Sequence, residues 1–285
     1  MHGRRFRPVQ LTPHRLNTDF AWRSPEGPFK RVSATNLKAW DEVGAFVLED
    51  VLDLGDLAEL TAAIDPLEDE MTELLRTQPG GRIFIADADA ITFTVHIVRT
   101  SAAARAFVAQ PLMAELASDL IGPDVRLYWD QAVYKKPEPV REFPWHQDNG
   151  YNFVEPQQYL TCWVPLVDAT IENGCPWVVP GLHRLGTLEH WWTDSGWQCV
   201  EAPANAIPVE AKAGSIVVFS SLTPHRTGPN LSDDVRKAYI VQYAPDGAES
   251  IRHDGAGSIV RQGHSDPDRQ FFVVTNGRVT GPPPG

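Results

Sequence analysis

Apolar residues recur at two different spacings along this chain, and the change falls near residue 124. Before it the period is mainly helical. Ser33 predicts an N-cap for a short helix through Val43, Gly44 ends that helix, and Ala45-Phe46-Val47-Leu48 reads as a strand. Asp53 or Asp56 then starts a long amphipathic helix to about Arg76, with Leu57, Leu60, Ala63 and Ile64 on one face. Pro66 is expected to interrupt or kink it. After a turn at Gln78-Pro79-Gly80-Gly81, residues 82–100 alternate and predict strand with irregular stretches. Two helices follow, Ser101–Ala109 and Pro111–Ile121, with Pro111 suited to a first helical position.

From Asp124 onward the pattern becomes short strands between turns, near 124–135, 142–150, 158–168, 176–180, 206–212, 215–221, 224–229 and 236–245. Eight strands so spaced predict a double-sheet jelly roll. The fold class is therefore mainly β with flanking helices, around a double-stranded β-helix (jelly-roll, cupin-like) core. One domain accounts for residues 1–285: an extended arm (1–32), a mainly helical flank (33–123), the core (124–246) and a C-terminal extension (247–285). Within the extension, Phe271–Val274 suits an edge strand, and the closing Gly281-Pro282-Pro283-Pro284-Gly285 is expected to be disordered.

Charge narrows the partners. With 25 basic and 37 acidic residues the balance is −12, against nucleic acid and mildly against a large polyanion such as an acyl-CoA. Cys162, Cys175 and Cys199 are odd in number and lack metal-site spacing, which predicts reduced thiols in a cytoplasmic protein. No apolar run approaches a membrane-spanning length, and the basic opening Met1–Arg7 has no hydrophobic segment behind it, so no secretory signal is read. The expected partner is a small molecule, with monomer and homodimer both left open.

The candidate chemistry centres on Trp145-His146-Gln147-Asp148. Placed on one strand, His146 and Asp148 would leave the same face side by side, as two adjacent ligands for a divalent metal. An H-x-D triplet alone proves little, since two polar residues on a solvated strand face look identical. A third ligand must come from far along the chain. Among His183, His190, His225, His253 and His264, His225 has the best setting, after the apolar strand Ser215–Phe219 and before Arg226-Thr227-Gly228-Pro229-Asn230. Two histidines and one carboxylate around open positions mark non-haem Fe(II) oxygenases. Arg236, eleven residues beyond His225, offers the guanidinium that a dicarboxylate co-substrate needs at its far end.

With these residues in order, the chain resembles the phytanoyl-CoA dioxygenase family of Fe(II)- and 2-oxoglutarate-dependent oxygenases. The resemblance runs from about Ala34 to Tyr243 and is carried by Trp145–Asp148, by Asp168–Arg184 with its Asn173-Gly174 turn, and by His225–Asn230 with Arg236. Leu182 and Thr227 stand where the family usually or often has serine. The resemblance implies Fe(II) held by His146, Asp148 and His225, with 2-oxoglutarate chelated beside them and paired with Arg236. It implies O2-dependent hydroxylation of an unactivated C–H bond, with release of succinate and CO2. Asp148 fills the position that a halogenase leaves to chloride. Desaturation, epimerisation or ring formation could follow from the same oxidant, and a catalytically silent jelly-roll binder is the rival from another class.

Further contacts are expected around this centre. Thr227 would share the strand face of His225 and donate to the C5 carboxylate. Gln131 and Trp163 lie where the family places co-substrate contacts; an ordinary strand glutamine and a plain core tryptophan are their alternatives. For Lys135 and Lys136, anion contacts are one reading, but two adjacent lysines before a proline are read as solvated. Asn149, Tyr151, Phe153 and Trp197 are the candidate substrate residues, Trp197 belonging to a segment at 186–208 that also carries Trp191 and Trp192. Large apolar area in a loop suits a small, largely apolar metabolite such as a natural-product intermediate, although packing on the protein's own sheet would also explain it. His183 and His190 read as structural.

Overall fold

The computed structural model describes residues 11–138, 140–255 and 257–282. Residues 1–10 of the expected arm and 283–285 of the expected disordered tail lie outside them. The core is a jelly roll of two facing antiparallel sheets. The larger runs Ala45–Leu48, Ile216–Ser220, Leu160–Pro165, Arg236–Pro245, Val125–Lys135, Ile91–Val95, Ala86–Asp87, Arg82–Ile83, and Phe272–Thr275 also pairs with Val125–Lys135. The smaller runs Ile207–Pro208, Pro176–Val178, His225–Thr227, Phe143–His146.

The large sheet is buried on both faces, and this explains its sequence. On one face Ile216, Val218, Leu160, Cys162, Tyr239 and Val241 pack with helix residues Leu57, Leu60, Phe107 and Leu116. On the other, Val217, Phe219, Trp163, Ala238 and Ile240 meet Val178 of the small sheet. Alternating residues thus enter two different cores, and the strands read as continuous apolar runs.

Local signals set the helix starts. Ser33 accepts from the Asn36 N–H in a capping box, Asp53 accepts from Gly55 and Asp56, and Ser101 from Ala104. The helix Leu54–Arg76 runs through Pro66 without the expected interruption, its buried stripe continuing from Leu60 and Ile64 to Thr72 and Leu75. Packing of that stripe offsets the one hydrogen bond that proline withholds. Residues 82–100 break into three short strands and a 3-10 turn, Ile97–Arg99.

The arm lies extended along residues 185–189, where the Asn17 carboxamide donates to Leu185 and Thr187 carbonyls and the His14 N–H to Thr187. Two hairpins were missed by the sequence reading, Trp191–Thr193 with Gly196–Gln198 and Glu249–His253 with Ile259–Gly263. Among the described residues, no helix is long and apolar enough to cross a membrane.

Candidate metal centre

His146 ends one strand of the small sheet and His225 begins its neighbour, and the two are direct partners across the ladder. Their rings lie 4.1 Å apart, centre to centre. In each, Nδ1 meets a carbonyl two residues back: Pro144 at 2.9 Å for His146, Thr223 at 3.0 Å for His225. Those bonds assign the proton to Nδ1 and leave both Nε2 lone pairs free, the arrangement that orients a metal-binding imidazole. Asp148 Oδ1 stands 3.8 Å from His146 Nε2 and 3.7 Å from His225 Nε2. Among the described residues these three form the cluster able to hold a metal, with donor atoms all within 4.8 Å of one another. Burial, and then the neighbouring His225, hold the His146 imidazolium form well below its ordinary range. A neutral imidazole is the form that binds a metal.

The expectation that His146 and Asp148 share one strand is corrected. The strand stops at His146, Gln147 is still extended, and Asp148 opens a helical turn, Asp148–Tyr151. Gln147 fixes the switch. Its side chain accepts from the Leu188 N–H and donates to Leu222 and Gly186 carbonyls, while its own N–H donates to His190 Nε2. His190 then packs against Gly150 so tightly that a Cβ there would sit 2.0 Å from its Cε1.

A second pole lies on the large sheet. Arg236 is 1% exposed, its guanidinium 5.3 Å from the Trp163 ring, and none of its three nitrogens has a hydrogen-bond partner among the described residues. Lys135, its direct neighbour across the ladder, is equally buried, with Nζ on the Gly228 and Thr227 carbonyls. Burial first, and then Arg236, push the Lys135 ammonium down to about 7. The reading of Lys135 and Lys136 as solvated is therefore corrected: Lys136 too is tied down, to the Thr72 hydroxyl and the Ala88 carbonyl. Strand parity offered the missed signal, because Lys135 alternates in step with Val133 and Gln131. Gln131 accepts from the Trp129 indole at 3.2 Å. Thr227 closes the strand that His225 opens, across a register shift. Two buried cations with no carboxylate bonded to either among the described residues are costly alone and fit an anionic ligand.

The four candidate substrate residues separate. Tyr151 is 40% exposed and edge-on to His146 at 5.3 Å. Trp197 is half-buried in the hairpin, edge-on to Trp192. Asn149 is corrected to a structural role: it is fully buried, accepting from the Val154 N–H and donating to the Thr187 hydroxyl. Phe153 is likewise packed away, stacked on His14 of the arm. Neither has a free surface to offer. Thr161 and Gln242, not singled out in the sequence, reach the centre from the large sheet: the Thr161 hydroxyl donates to Asp148 Oδ2 at 2.5 Å and the Gln242 amide to Thr161 at 3.4 Å.

The family model described as phytanoyl-CoA dioxygenase (PhyH) matches residues 40–238. The chain belongs to that family. A phytanoyl-CoA dioxygenase of Arabidopsis thaliana is 30% identical over 113 residues, 38% of this PhyH chain and 40% of the relative, so the match spans about two-fifths of each. A methylphosphonate hydroxylase of Gimesia maris is 26% identical over 220 residues, 73% of this chain and 79% of that one. Among solved structures, the epimerase SnoN in complex with Fe3+, alpha-ketoglutarate and nogalamycin RO has a TM-score of 0.63 at 23% identity, covering 82% of this chain and 96% of SnoN. That likeness places this PhyH chain in the same fold.

Proposed function

We propose that this PhyH-family chain is an Fe(II)- and 2-oxoglutarate-dependent dioxygenase that hydroxylates an unactivated C–H bond of a small, largely apolar metabolite. The observation that carries the reading is the pairing of two poles: three candidate metal-ligand side chains converging with both Nε2 atoms free, and a buried Arg236 guanidinium without a partner among the described residues. His146, Asp148 and His225 would hold the iron, and Arg236 with Lys135 and Thr227 the far carboxylate of 2-oxoglutarate, walled by Trp163 and Gln131. When bound, iron and keto acid supply the oxidant, with O2 and 2-oxoglutarate giving succinate, CO2 and one oxygen atom for the substrate. The protein's own work is positional. The Pro144 and Thr223 carbonyls aim the imidazoles, Trp163 faces the guanidinium, and Tyr151 and Trp197 offer apolar surface to a substrate beside the centre. The buried free thiols Cys162, Cys175 and Cys199 support a cytoplasmic setting.

The test is O2 consumption by iron-loaded protein with 2-oxoglutarate across a panel of apolar metabolites, read by succinate release and product mass. A product heavier by one oxygen atom, with matching succinate, is expected. Absence of succinate throughout, although metal binds, would leave a catalytically silent binder.

A further inference from the structure

We propose that Thr161 is a positioning residue that commits Asp148 to a single metal contact; this rests on the metal-centre reading above. The two carboxylate oxygens have different tasks. Oδ1 faces His146 Nε2 at 3.8 Å and His225 Nε2 at 3.7 Å. Oδ2 accepts the Thr161 hydroxyl at 2.5 Å. A carboxylate can bind a metal through one oxygen or both. With Oδ2 occupied, Asp148 takes one coordination position rather than two, leaving more of the ion open to keto acid and O2.

Thr161 can hold that bond because it is buried within a central strand. It is 1% exposed, in the Leu160–Pro165 strand, opposite Phe219 on one side and Gln242 on the other. Its β-branched side chain has few accessible rotamers. The Gln242 amide donates to the same hydroxyl oxygen at 3.4 Å, so the hydroxyl proton is left to point at Asp148. The bond also crosses between layers, from the large sheet to the turn after a small-sheet strand. Removing it would leave Oδ2 short of a partner in a mostly buried site and free the carboxylate to rotate.

Thr161→Val keeps the shape and deletes the hydroxyl. The readout is Co(II) binding to metal-free protein, followed by visible absorption, beside the melting midpoint of the metal-free form. Thr161→Val is expected to bind Co(II) about tenfold more weakly, with altered band intensities, while Thr161→Ser stays within about threefold of the parent. Gln242→Leu is expected to shift affinity and spectrum in the same direction by a smaller factor, and it decides the matter should Thr161→Val not fold. Parent-like Co(II) affinity and spectrum in Thr161→Val, or in Gln242→Leu if only that variant folds, would overturn the assignment, as would equal loss in Thr161→Ser. A parent protein whose Co(II) spectrum is indifferent to His146→Ala overturns the metal centre itself, a separate result.

Discussion

Arg236 is a costly side chain when nothing is bound. Its guanidinium is buried without a hydrogen-bond partner among the described residues, and burial pulls its pKa down to about 10. Arg236→Met is therefore expected to raise the melting midpoint of the ligand-free protein by a few degrees, roughly 1 kcal/mol, while weakening 2-oxoglutarate binding about 100-fold and sparing metal affinity. Thermal shifts with Mn(II), with and without 2-oxoglutarate, check this; equal stabilisation of parent and variant by the diacid would contradict it. Lys135 adds a pH dependence. Its charged form is the one that attracts a carboxylate, and its unliganded pKa is about 7. Binding favours that form, so 2-oxoglutarate affinity should be level below pH 7 and fall above it, by up to about tenfold per unit. Calorimetric titration between pH 6 and 9 should show the slope in the parent and none in Lys135→Met. The triplet, His225 and Arg236 were legible because each sits in a distinctive local motif. Thr161 and Gln242 were not, since their places depend on cross-strand register, which a single sequence does not reveal, whereas Lys135 needed only strand parity.

At the level of elements, the strand Arg236–Pro245 and the expectation for 236–245 coincide, and Val125–Lys135 differs from 124–135 by one residue. These strands are central and pack on both faces, so their apolar runs are long. Small-sheet strands are shorter than expected: Pro176–Val178 against 176–180, His225–Thr227 against 224–229. The turn from strand to helix after His146 was hidden because its cause, the Gln147 and His190 bonds, comes from residues 186–222. Gly150→Ala tests that account. A methyl group 2.0 Å from the His190 ring should cost about 3 kcal/mol in urea unfolding. Adding His190→Ala should recover part of the loss, and strict additivity would sink the explanation.

Over the whole molecule, the doubly buried sheet carries a further electrostatic burden beside Arg236 and Lys135. Asp130 is fully buried; it accepts from the Tyr239 hydroxyl and the Val98 N–H, but its Oδ1 has no partner among the described residues. Burial raises its carboxyl to about 6. The folded-state pKa lies above the unfolded one, so the stability given by the neutral form is present below pH 4 and lost as pH rises through 6. Asp130→Asn removes that step, and its stability relative to the parent should grow by about 2 kcal/mol between pH 4.5 and 8. Parallel urea stability curves would refute it. The hairpin at 191–198, meanwhile, holds none of the residues proposed above for the metal or the co-substrate; beyond it the Cys199 N–H bonds to Trp145 at the edge of the small sheet. Under the proposed function, exchanging its tryptophans would change which molecules fit beside the centre while leaving the three metal-ligand side chains and Arg236 untouched.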